Sequence, residues 1–175
     1  LWNNNYYVLY GKNLGAPRDS KIFECKEKII IRQTSDKIIA TIITENIICR
    51  KNLHILISEM VDHRFILGVL NSKLTNFYYQ QINPEKGEVL AEVKKTHVEQ
   101  LPIPKITSEN QQLHDDLVKL VEQMLKAKKE EQNAQSDHEK NLYKNLTESL
   151  DYKINNLVYK LYNLTPEEID LVEKS

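Results

Sequence analysis

Glycine is scarce and scattered. The four in the chain, at 11, 15, 68 and 87, lie too far apart to form the glycine-rich loop that cradles the phosphates of a nucleotide cofactor. Cysteine is scarcer still. Cys25 and Cys49 have neither the clustered histidines of a zinc set nor the density of a disulfide-stapled scaffold, so both are expected to be reduced and structural. No apolar run approaches the roughly 18 to 20 residues that a membrane span requires. No charged-then-apolar leader precedes a small-residue cleavage site, and the expectation is a cytoplasmic protein without membrane contact. There is no Ser-His-Asp or Cys-His set in a suggestive context, and His54 and His63 are isolated, so no catalytic residue and no metal ligand is assigned. The first residue is Leu1 rather than methionine, which reads as a piece cut from a longer protein.

What is present divides in two. With 175 residues and 41% hydrophobic content, the chain has the means to bury a core, and its pattern is α+β. A small mixed or antiparallel sheet with a packed helix is expected over residues 1–106, followed by an α-helical hairpin or spacer over 107–175. Strand formers recur at Tyr6 to Tyr10, an edge strand, and then in a meander of Lys28 to Gln33, Lys37 to Ile43, Asn46 to Cys49 and Leu53 to Ser58, with turn chemistry between them. Ile66, Leu70, Leu74 and Phe77 recur at three- and four-residue spacing, which predicts one helix over about Phe65 to Gln81. A strand is expected over Glu88 to Lys95, feeding a helical turn opened by a capping box from Thr96 to Glu99. Pro102 and Pro104 then force an extended path.

Beyond Pro104 the period becomes helical. Ser108 with Gln111 predicts a capped start for a stripe of Leu113, Leu117, Leu120, Val121, Met124 and Leu125. Ser136 with Glu139 begins a second stripe, Leu142, Leu146, Leu150, Ile154, Leu157, Val158 and Leu161. Thr165-Pro166-Glu167-Glu168 opens a third, short helix. Lys126 to Asp137 is a polar turn or a solvated helix extension.

Charge is distributed unevenly along the chain. Residues 1–106 hold 15 Lys and Arg against 11 Asp and Glu, whereas residues 107–175 hold 9 against 14. A mildly basic head is compatible with phosphate contact, because neutralising phosphates releases counterions, although its density is far below that of an obvious nucleic-acid binder. The turn Arg32-Gln33-Thr34-Ser35-Asp36-Lys37 supplies the side-chain types that read base edges, arginine for guanine and glutamine for adenine. Arg50-Lys51-Asn52 makes a second basic turn, and Arg18 stands in an early loop. Lys73, Lys94 and Lys95 are further candidates for phosphate contact. Glu92-Val93-Lys94, with Glu85 before it, has the shape of a nuclease half-motif but lacks the expected aspartate.

Three phrases in order carry a resemblance: Lys28-Ile29-Ile30-Ile31-Arg32-Gln33-Thr34, then Leu70-Asn71-Ser72-Lys73-Leu74 with its Phe-Tyr-Tyr tail, then Leu101-Pro102-Ile103-Pro104 before a long helix. The chain resembles the TaqI-like C-terminal specificity domain, the target-recognition module of restriction-modification proteins, over roughly residues 5 to 106. The resemblance implies a DNA target-recognition domain at 1–106 and a helical spacer, dimerisation or docking segment at 107–175. It implies double-stranded DNA as a partner, read for an adenine-N6 DNA methyltransferase that lies upstream or in a partner subunit, with or without an endonuclease. The methyltransferase's own Asn-Pro-Pro-aromatic phrase is absent, so S-adenosylmethionine is expected for the parent enzyme and no cofactor for this chain. DNA-binding candidates under this reading are Arg18, Arg32, Gln33, Thr34, Lys37, Arg50, Lys51, Lys73, Lys94 and Lys95. The competing readings are a specificity subunit of a multisubunit system, a docking domain that reads no bases, and a divergent nuclease using Glu85, Glu92 and Lys94.

Overall fold

The computed structural model describes residues 9–85, 87–88 and 91–175. Its architecture is α+β: a three-stranded antiparallel sheet, a pair of helices on one face, and a long helical hairpin. After the short helix α1 (Lys21–Glu24) come β1 (Lys28–Arg32), β2 (Ala40–Ile43) and β3 (Leu53–Leu56). The order in space is β2-β1-β3, which corrects the expected meander. β1 pairs Ile31 with Ala40 of β2 and Ile31 with His54 of β3. It is therefore the centre, as suits its unbroken isoleucine run.

The predicted strand at Asn46 to Cys49 is not a strand. β2 ends opposite Lys28, and β3 begins opposite Arg32, so the segment between them must run the length of β1. It has strand-forming residues and no ladder partner; Ile47 and Ile48 are exposed while Cys49 is buried. Lys28 secures this connection from beneath. It is fully buried, and its Nζ donates to the carbonyls of Phe23 at 2.9 Å, Cys25 at 3.1 Å and Glu45 at 3.0 Å, which uses all three ammonium protons. A buried cation persists only with such partners.

The single helix predicted at Phe65 to Gln81 is two. α2 (His63–Asn71) ends at Ser72, whose extended backbone starts α3 (Lys73–Ile82). The Ser72 hydroxyl donates to Val69 O at 2.7 Å, and its oxygen accepts from Thr75 N at 3.2 Å, so one buried side chain closes one helix and caps the next. α2 buries six consecutive residues, Phe65 to Leu70. A helix buried all round must be covered on both sides, and the covers here are the sheet and α5 (Gln111–Asn133). Gly68 makes that fit possible: a Cβ there would lie 2.9 Å from Val121 Cγ2 and 3.0 Å from Leu117 Cδ1.

The expected strand at Glu88 to Lys95 falls partly on residues 89 and 90, which lie outside the described residues, as do Tyr6 to Val8 of the predicted edge strand. What is described is one isolated antiparallel bridge, Thr34 to Glu92. α4 (Lys95–Val98) is the expected single turn, but its N-cap is Lys94 with no side-chain cap, so the Thr96–Glu99 box does not form. α5 likewise starts after Asn110 rather than at a Ser108 cap. The Asn110 amide instead bridges Thr107 N at 2.8 Å and Lys105 O at 3.0 Å. The polar stretch after Lys126 continues the helix to Asn133.

α6 (Asp137–Leu161) and α7 (Pro166–Glu173) both begin in the expected way, with capping boxes Ser136/Glu139 and Thr165/Glu168; each N-cap is worth about 1 kcal/mol. The α6 stripe is buried only from Thr147 onward, and Leu142 and Leu146 are 57% and 44% exposed. One core takes Ile29, Ile31 and Phe65 from before residue 106 and Leu117, Val121, Ile154 and Val158 from after it. Burying each such side chain contributes about 1.5–3 kcal/mol. Among the described residues, no helix is long and apolar enough to cross a membrane.

Candidate nucleic-acid interface

The end of the sheet where β1 finishes collects three separate stretches of chain. Gln33 N donates to Asn52 O at 3.0 Å, joining the first basic turn to the second. Val93 N donates to Gln33 O at 2.6 Å, joining the first turn to the 91–95 stretch. Arg18 reaches in from the early loop, its Nη2 donating to Leu53 O at 2.8 Å. Arg18, Arg32, Gln33, Thr34, Arg50, Lys51, Lys94 and Lys95 thus lie on backbone segments tied directly to one another, and Lys37 sits in the same β1–β2 loop.

Two grooves share Arg18. One, of about 530 Å³, runs beside β3 and has Arg18, His54 and Lys95 in its lining. The other, of about 450 Å³, is lined by Arg18, Arg50 and Lys51 together with Tyr10 and Phe23. Aromatic packing between Tyr10 and Phe23, edge to face at 5.7 Å, and a 2.7 Å bond from the Tyr10 hydroxyl to Arg18 O hold the loop that carries Arg18.

The cations differ in how free they are. Among the described residues, no carboxylate pairs with Arg18, Arg32, Lys37, Arg50 or Lys51. Lys95 pairs with Glu99 one turn on, at 3.3 Å. Lys94 Nζ lies 2.5 Å from Glu85 Oε1. This contact is the first cause that holds the Glu85 carboxyl below the usual glutamate range, the bond from Glu92 N being the second, and it raises the Lys94 ammonium. Exposed pairs of this kind are screened by solvent and contribute little, so a phosphate can replace the carboxylate.

Lys73 lies elsewhere. Its ammonium pairs with Glu173 of α7 at 2.5 Å, and its backbone N donates to Asn155 Oδ1 at 2.8 Å. Glu173 in turn accepts from the Tyr159 hydroxyl at 2.6 Å. Lys73 therefore belongs to a polar knot between α3, α6 and α7, apart from the other nine residues.

His54 and His63 are satisfied by the fold. His54 Nε2 lies 2.6 Å from Val93 O. His63 Nε2 accepts from Ser58 N at 3.1 Å, with Glu27 3.1 Å from its Nδ1. Among the described residues, no group of three His, Cys, Asp or Glu side chains is placed to hold a metal ion. Three residues have roles here that the sequence reading did not assign to them. Glu85 anchors both Glu92 and Lys94; Asn71 bonds the backbone of the β2 edge; and the buried Tyr79 donates to Glu92 O at 3.3 Å. Nothing in their local spacing marks them, because each acts on a residue brought near by folding.

No curated protein matches the chain. The family model for the TaqI-like C-terminal specificity domain matches residues 1–103, the stretch that holds the sheet, both basic turns and the 91–95 segment. With more than half its length covered by that match, this chain belongs to the family of TaqI-like C-terminal specificity domains of restriction-modification enzymes.

Proposed function

We propose that the chain reads a short sequence in double-stranded DNA and positions an adenine-N6 DNA methyltransferase, encoded upstream or in a partner subunit, on that site. The methyltransferase, with its S-adenosylmethionine and any endonuclease, belongs to the rest of the enzyme. The observation that carries the reading is the convergence of Arg18, Arg32, Gln33, Arg50, Lys51, Lys94 and Lys95 at one end of the sheet, through backbone hydrogen bonds and the Arg18 guanidinium. A rigid base beneath polar turns suits direct readout, in which phosphate contacts set register and base-edge contacts set sequence. Arg50, Lys51 and Lys37 take the phosphate role, and Arg32 and Gln33 the base-edge role.

Duplex binding is expected to weaken steeply with salt. Replacing Arg50 and Lys51 with alanine lowers affinity similarly for every sequence and reduces the salt slope by about one for each phosphate left without its cation. Replacing Arg32 and Gln33 changes the preferred site. The measurement is fluorescence anisotropy across a salt series on cognate and scrambled duplexes. Binding insensitive to salt and to both double replacements overturns the reading.

One observation favours a second role for the same chain. Leu142 and Leu146 stand exposed one turn apart on α6, on the hairpin beyond the shared core, which suits docking against protein. Equal affinity for cognate and scrambled duplexes, with retained binding to the parent enzyme's catalytic part, would leave docking as the sole function.

A further inference from the structure

Glu92 is a carboxylate set among cations. Along its segment Ala91 is buried, Glu92 exposed, Val93 buried and Lys94 exposed, the alternation of an extended strand. Bridge partners present their side chains to the same side, so Glu92 shares a face with Thr34 and, by the alternation of its own segment, with Lys94 two residues on. Its backbone is held on both flanks: Glu92 N donates to Glu85 Oε2 at 2.9 Å, and Glu92 O accepts from the Tyr79 hydroxyl at 3.3 Å. Lys94 is already paired with Glu85. The partner of the Glu92 carboxylate is Gln33, whose Nε2 lies 3.4 Å from Oε2.

An acceptor-only group in that place is wrong for phosphate and suited to a base amine. In the major groove, guanine shows two acceptors, thymine an acceptor and a methyl group, and adenine an acceptor beside its amine. Cytosine alone shows an amine with no acceptor next to it. Building on the DNA-reading function proposed above, we infer that Glu92 is a specificity-determining residue that accepts a hydrogen bond from cytosine N4, with Gln33 setting the orientation of its carboxylate. The flanking cations hold the phosphates, and the carboxylate between them rejects bases that present only acceptors.

The test is selection from a duplex library with a randomised centre, followed by sequencing, for the chain and for Glu92→Ala and Glu92→Gln. The native chain is expected to enrich cytosine at one position. Glu92→Ala loses that preference by roughly tenfold while the other positions keep theirs. Glu92→Gln shifts the same position towards adenine, which a glutamine amide pairs with. Affinity for unselected duplex does not fall in either variant, because a negative charge has been removed. Both variants keep the backbone bonds at Glu92, and circular dichroism checks the fold. Unchanged enrichment at every position in both variants overturns the inference and leaves the DNA-reading function standing. A native chain that enriches no sequence overturns both.

Discussion

The two edges of the sheet are finished in different ways. At the β2 edge the side-chain amide of Asn71 takes the place of a strand, donating to Ala40 O at 3.0 Å and accepting from Ala40 N at 2.9 Å, while Asn76 accepts from Ile38 N at 2.7 Å. That edge faces α2, α3 and the hairpin, and its polar groups are satisfied by neutral amides. At the β3 edge Leu53 O is met by the Arg18 guanidinium, and a groove with Lys95 in its lining runs alongside. An open strand edge invites pairing with another chain. Here one edge is closed by helix side chains, and the other is blunted with positive charge. The closed edge is architecture, and the charged edge adjoins the end of the sheet where the basic turns meet.

The largest effect expected concerns Lys28, on the central strand. Lys28→Met leaves one buried and two part-buried carbonyls, from the α1 side and from the segment after β2, without their donor; a loss of about 3 kcal/mol is expected in urea unfolding. A smaller loss would mean that water reaches those carbonyls. Next, Asn71→Ala strips Ala40 of both partners at an exposed edge and is expected to cost about 1 kcal/mol, with DNA affinity unchanged. Weakened DNA binding in that variant, once stability is restored by low temperature, would break the division between a structural edge and a charged one.

The smallest effect sharpens the placement of Lys73 on the structural side. Glu173 lies below the usual glutamate range, first because Lys73 bonds it and then because Tyr159 does. A carboxylate with a lowered folded pKa contributes stability above its ordinary range and loses it as the pH falls through the folded value. The Tm gap between the native chain and Glu173→Gln is therefore expected to be full at neutral pH and to close in acid. A gap that stays constant with pH would remove Lys73 from the knot.

Much of the fold was legible because it depends on local chemistry. Ser136/Glu139 and Thr165/Glu168 are complete signals within four residues, and both cap helices as read. The isoleucine run of β1 falls on the central strand, whereas the Ile38-Ile39 run precedes the edge strand β2. Ser108/Gln111 and Thr96/Glu99 fit the same pattern but do not form it, since a capping motif acts only where the backbone already turns into a helix. The helix break at Ser72 was hidden for a related reason: its apolar spacing continues straight through, and only the packing of α3 against α6 and α7 rewards the kink. Asn46 to Cys49 has strand composition and no strand to pair with.

The site divides in the same way. Residue types at Arg32, Gln33, Arg50 and Lys51 were readable as turn chemistry with readout potential. Which cations stand together, which are paired with Glu85, Glu99 or Glu173, and that Glu92 lies beside Gln33 came only from tertiary contacts.

By itself, then, the order of residues determined the α+β character, the helices with complete caps, the family and the supply of basic turns, because each depends on short-range patterns or local propensity. The folded chain decided the β2-β1-β3 order, the closure of one edge by Asn71, and the union of residues 18, 33, 52 and 93 at one end of the sheet. Those outcomes depend on hydrogen bonds and burial between segments far apart in the chain, and no local pattern records which distant partner will satisfy a buried backbone group.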